Sequence, residues 1–166
     1  KRLRERVITG REHAKETHRR KAEQRDTAYL KEAVGVTSKI QITPILAQAF
    51  CSFLYWAEGA KFTNNRLEFT NSDPVMIATF LKLLRSAFDV DEAKLRANIH
   101  LHEYHNEKIQ KAFWQRVTSI PPQQFNKSYL KAHTKKVIRV NYPGCVRICY
   151  YSADTARRIR ATYLAL

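Results

Sequence analysis

Two sets of residues in this sequence have types and spacing suited to chemistry. One is a lone acid. Eleven of the thirteen residues from Ile45 to Ala57 are apolar, and the run ends in Glu58, followed by Gly59. A helix that is apolar on every side is expected to be buried all round, and glycine is the residue best suited to end one. An acid carried to the tip of such a helix points to a site built where two helices meet. The other set recurs at every second residue of strand-like segments: Arg66, Glu68, Thr70, Arg96, Asn98, His100, His102, Arg139, Asn141, Arg147 and Tyr151. Arginine forks onto guanine and asparagine pairs twice with adenine, so these are types that read base edges in a groove. Lys127, Lys131, Lys135 and Lys136 follow one another along a loop and suit phosphates, which position rather than specify.

These residues need elements to hold them. Thr43-Pro44 reads as a cap and first-turn proline opening the apolar helix. Lys61–Thr63 and Arg66–Thr70 flank Asn64-Asn65, a hairpin signal. Asn71-Ser72-Asp73-Pro74 caps a helix with apolar residues at 76, 77, 80, 81, 83, 84, 87 and 88. Leu95, Ala97, Ile99 and Leu101 alternate with Arg96, Asn98, His100 and His102, which predicts a strand with one buried face. Glu107–Val117 reads as a helix ended by Pro121-Pro122, with Phe113 and Trp114 in its core face. Val137–Val140 and Cys145–Tyr151 are expected strands around Tyr142-Pro143-Gly144, and Asp154 is the expected cap of a last helix. Helices on one face of these strands make an α+β layer. Its inward set is Leu67, Phe69, Leu95, Ala97, Ile99, Leu101, Ile138, Val140, Val146, Ile148 and Tyr150. Residues 1–33 read as a mixed-charge polar helix broken by Val34–Ser38, so we divide the chain into a basic helical arm, 1–38, and a domain, 39–166.

Charge narrows the partners. The 166 residues carry 30 basic and 15 acidic side chains, a net charge of +15. Residues 1–35 contribute 11 and 6 of these, and residues 121–166 contribute 9 and 1. Such a surplus favours polyanions. A membrane is the poorer match. The Ile45–Ala57 run is about 20 Å long as a helix, short of the roughly 30 Å needed to span, and the basic arm lacks the apolar face of a surface-bound helix. Cys51, Cys145 and Cys149 are odd in number, lie in apolar runs and lack zinc spacing, as expected of core thiols in a reducing cytoplasm. No secretory signal is visible, and a start at Lys1 rather than Met leads us to expect a fragment of a longer chain. His100, His102 and His105 with Glu103 do not follow zinc-ligand logic. With four glycines and no phosphate loop, a nucleotide-driven enzyme is disfavoured.

Tyr55-Trp56-Ala57-Glu58-Gly59-Ala60-Lys61, followed by Phe69-Thr70-Asn71-Ser72-Asp73-Pro74 and His100-Leu101-His102-Glu103, resembles the LAGLIDADG-type homing-endonuclease domain, as found singly in small bacterial proteins. The resemblance covers about Pro44 to Leu166. It implies the order α-β-β-α-β-β-α, here with a helical insertion and an N-terminal helical extension. It implies a homodimer through the Ile45–Ala57 helix and double-stranded DNA as partner. It also implies that Glu58 lies near the scissile phosphates and helps hold Mg²⁺, with Lys61 stabilising developing negative charge. Phe53 stands where the family's helix pair has a glycine, and Trp56 where the motif often has an acid. Some relatives have lost cleavage and regulate transcription. Three readings therefore stand. The first is a duplex-DNA-binding protein, cytoplasmic and nucleoid-associated; the second is an active Mg²⁺-dependent endonuclease using Glu58; the third is an RNA-binding or regulatory module on the same scaffold.

Overall fold

The structure, a computed structural model, describes residues 2–61, 65–132 and 142–165. The chain divides into two compact units, Lys1–Gln41 and Ile42–Leu166. The first is one helix, α1 (Arg2–Thr37). The expected break at Val34–Ser38 comes only at its far end, since the helix passes through Gly35 and stops at Thr37. A helical glycine costs only about 1 kcal/mol. The turn around it is tied by Thr37 Oγ1 donating to the Ala33 carbonyl (2.8 Å) and the Ser38 amide to Val34 (2.9 Å).

The second unit opens with α2 (Pro44–Glu58). Thr43 Oγ1 accepts the Leu46 amide at 3.2 Å, and Pro44 fills the first turn, where no amide partner is needed. The helix stops at Gly59, which is extended (φ −78°) rather than left-handed. Space dictates the glycine, since a Cβ there would lie 2.4 Å from Tyr55 Cδ2. Strand β1 (Leu67–Asn71) follows. Ahead of it, Gly59 forms a single bridge opposite Phe69, with the Ala60 amide on the Glu68 carbonyl (2.9 Å). Residues 62–64 of the expected hairpin lie outside the described residues.

Helix α3 (Pro74–Ala87) is capped by Asp73, whose Oδ1 accepts the Val75 amide at 2.8 Å. Strand β2 (Leu95–Leu101) shows the predicted alternation, with Leu95, Ala97, Ile99 and Leu101 buried. His102, expected on this strand, lies one residue beyond its end. Helix α4 (Glu107–Thr118) is capped by Asn106 and ended by Ser119 in the left-handed region (φ 57°). The chain after it forms a two-residue strand, β3 (Tyr129–Leu130), within what the sequence reads as a basic loop. The expected strand Val137–Val140 lies outside the described residues. Strand β4 (Cys145–Tyr150) leads into α5 (Ala153–Ala165), capped by Ser152 rather than Asp154. Ser152 Oγ accepts the Thr155 amide at 3.2 Å, while Asp154 pairs with Arg158 at 2.8 Å.

The sheet order is β1-β4-β2-β3, with β4 antiparallel to both neighbours and β3 parallel to β2. The sheet's aliphatic face meets the helices in a core that includes Phe69, Phe80, Leu84, Ile99, Trp114, Ile148 and Ile159. Phe69 stacks on Phe80 at 4.1 Å between ring centres. Each such side chain removed from water contributes about 1.5–3 kcal/mol. Trp114 is satisfied as well as buried, its Nε1–H donating to the Pro143 carbonyl at 2.9 Å.

α2 departs from expectation. It is buried on one side only, through Ala47, Cys51, Ser52 and Tyr55. Its other side is apolar yet exposed: Ile45 is 83% accessible, Phe50 44%, Phe53 53% and Trp56 47%. Helix α5 lies along its flank, with Gln48 Nε2 donating to Thr162 Oγ1 (2.8 Å) and Trp56 stacked on Tyr163 at 6.1 Å. Among the described residues, no helix is long and apolar enough to cross a membrane.

Candidate nucleic-acid interface

Strand pleating sends alternate side chains to the face opposite the core, and the register sorts them into rows. Thr70, Arg147 and Asn98 form one row across β1, β4 and β2. Glu68, Cys149 and Arg96 form the next, and Cys145, His100 and Tyr129 a third. All these polar residues are half-buried except Tyr129, which is exposed. Arg96, Asn98 and Arg147 thus share one sheet face.

The arginines differ in what holds them. Arg66 Nε donates to Glu68 Oε1 at 2.6 Å, and its guanidinium lies 5.7 Å from the centre of the Tyr151 ring. Arg147 Nη1 is 3.6 Å from the other oxygen of Glu68, and its Nη2 donates to His100 Nε2 at 3.4 Å. One carboxylate therefore serves two arginines, and Glu68 belongs to the face as its charge balance. Arg96 turns back to its own backbone, with Nη1 on the Ala93 and Leu95 carbonyls at 2.6 and 2.7 Å. It braces the turn before β2 and presents less of its fork than the strand pattern implies.

Asn98 Nδ2 donates to the Lys127 carbonyl at 2.6 Å, which fixes the amide's orientation. Its Oδ1 and Arg147 Nε, neighbours in one row, are buried and have no hydrogen-bond partner among the described residues. Burial, then the positive charges of Arg147 and Lys131, lowers the pKa of His100. A neutral imidazole agrees with Nε2 acting as acceptor for Arg147. Burial raises the thiol pKa of Cys145, also on this face.

The remaining candidates are spread more widely. Lys127 and Lys131 are exposed beside the β2 edge, and Lys131 is near enough to His100 to act on its charge. His102 Nδ1 contacts the Lys131 carbonyl at 2.8 Å. His105 Nδ1 accepts the His102 amide at 2.8 Å, so its Nε2 carries the proton toward the Tyr142 carbonyl at 3.0 Å. These imidazoles bind backbone and clamp a turn. Lys135, Lys136, Arg139 and Asn141 lie outside the described residues. Glu58 is exposed at the end of α2, where Asn71 Nδ2 donates to its Oε2 at 3.4 Å. Asn71 also accepts the Asp73 amide through Oδ1 at 2.9 Å. Lys61 lines a pocket of about 260 Å³ with Arg157, Arg160 and Tyr163 of α5, a set that does not include Glu58.

Two residues were missed by the strand-face argument. Asn71 reads as a turn former, yet it also orients Glu58, and only the return of β1 past the α2 terminus brings them together. Tyr129 joins the face through the unforeseen β3, its ring 5.6 Å from His100. Glu68 stands on the face where alternation puts it, and what the pattern does not carry is its pairing with both Arg66 and Arg147. No family model, curated protein or solved structure matches the chain.

Proposed function

We propose that this chain binds duplex DNA as a homing-endonuclease-like protein, reading base edges with the open face of its sheet. The row Thr70–Arg147–Asn98, with His100 beside it, carries the reading. It combines an arginine fork, an amide and a neutral imidazole on one side of a sheet whose other side is aliphatic core. Antiparallel strands fit the major groove, and Lys127 and Lys131 at the sheet edge suit flanking phosphates. The order α2, bridge segment, β1, α3, β2, inserted α4 and β3, β4, α5 is compatible with the domain the sequence resembles. The apolar outer side of α2 suits a second copy, since exposed patches of this kind mark protein contacts. Two-fold pairing would double the reading surface, and such a protein would act on the nucleoid.

Site selection from a random duplex library, with and without Mg²⁺, tests this. A defined site should emerge, and Arg147→Ala should relax preference at one position at a cost of about 1–3 kcal/mol. Equal affinity for selected and random duplexes would overturn the reading, and tighter binding to RNA at equal salt would move it to the RNA class.

A second reading keeps cleavage. Asn71 steadies Glu58 at a helix C-terminus, where partial negative charge favours a cation. In a dimer, each copy's Glu58 would give Mg²⁺ one carboxylate, with phosphate oxygens completing its shell. Bound there, Mg²⁺ would polarise the phosphate and activate water. Lys61 would stabilise developing negative charge. The same library run in Mg²⁺ should then contain nicked duplexes, and Glu58→Gln should leave them intact.

A further inference from the structure

We infer that α1 carries a second contact with the nucleic acid: one cationic face that follows the phosphate backbone of a duplex. This rests on the duplex-binding reading above. At 100° per residue, Arg11, Lys15, His18, Lys21 and Arg25 fall on one side of the helix, and no acid interrupts that side between residues 11 and 25. Glu12, Glu16 and Glu23 fall together on another side, about a third of a turn away. Arg19 pairs with two of these acids, 2.9 Å from Glu16 and 3.6 Å from Glu23. No ion pair engages the five residues of the basic stripe among the described residues. The charges are thus segregated: the acids share a stripe with Arg19, and the basic residues face solvent along about 21 Å of helix.

The apolar content of this face argues for its occupant. Its non-basic members between 11 and 25 are Ala14 and Ala22. A second helix packed here would want a seam of large aliphatics at heptad spacing, and a lipid surface would want bulky apolar residues. A regular polyanion needs neither. Arginine and lysine at successive turns suit phosphates, and such contacts add affinity without sequence information.

The test uses the full chain and a duplex carrying its selected site. One variant, R11Q/K15Q/R25Q, removes three charges from the stripe, and a control, R20Q/K31Q/K39Q, removes three from elsewhere. Glutamine keeps helix propensity close to that of the replaced residues. Affinity is measured across a salt series, and the slope of log K against log salt counts phosphates engaged, at about 0.9 per contact. The stripe variant should lower the slope by about two to three, and the control by less than about one, with the order of preferred sequences unchanged in both. Equal loss in the two variants would reduce the effect to net charge and overturn the inference, as would no loss in either. Conversion of a dimer to monomer by the stripe variant alone, read by sedimentation, would assign the face to a second copy instead. If the wild type binds no duplex at any salt, the parent reading fails and takes this one with it. If it binds and the stripe variant matches it, only this inference fails.

Discussion

His100 shows how a single residue's setting governs its chemistry. Burial and two nearby cations lower its pKa below the ordinary histidine value, so the folded protein takes up its proton less readily than the unfolded chain. The stabilising share is therefore complete above about pH 6.5, where both states are neutral. It is lost as pH falls from there through the folded pKa. Urea denaturation at about pH 7.5 and about pH 5.5 should show the wild type losing more stability than His100→Gln, and parallel losses would remove this account. At the same scale, the arginines were legible in sign and face but not in partnership. Arg66 and Glu68 share a face by simple alternation, whereas the contact of Glu68 with Arg147 depends on register, which no local pattern carries. Arg96 lies on the expected face, but its bonds to the Ala93 and Leu95 carbonyls were not legible, because Ala93 belongs to the short 3₁₀ turn at Glu92–Lys94.

Among the elements, α2 separates composition from environment. Its apolar content was plain, but apolar residues on all sides predict burial only if something covers every side. Within this chain α3, α5 and β1 cover one side, leaving Phe53 and its neighbours open. Phe53→Glu should leave the fold intact, since Phe53 is outside the core, and should yield a monomer with weakened duplex binding. Sedimentation of the two proteins decides, and a wild type already monomeric at high concentration would remove the pairing role from α2. Strand β2 was readable because period-two alternation is local. The bridge at Gly59 and the two-residue β3 were not, because each exists only where a neighbouring strand offers free backbone groups. The continuity of α1 past Gly35 was misread for a related reason. A Cβ at that glycine would meet nothing within 4 Å, so the residue marks neither a turn nor a close approach.

At the level of the molecule, the two units differ in what sustains them. The core of the second draws on no residue before Ala47, while α1 buries no side chain among its described residues. Residues 38–43 between the helices are exposed, with Lys39 among them. Brief trypsin treatment should therefore cut after Lys39 and release a fragment whose thermal midpoint stays within a few degrees of the intact chain, about the shift from 1 kcal/mol. A collapse of that midpoint would mean that α1 supports the core. The sheet order has a consequence for biosynthesis. One of its two inner strands, Cys145–Tyr150, emerges from the ribosome after both strands it must join. Until it arrives, Leu67–Asn71 and Leu95–Leu101 have no β4 partner, and pairing across so long a stretch of chain is slow. The nascent polypeptide is thus most open to mispairing with its neighbours just before translation reaches that segment.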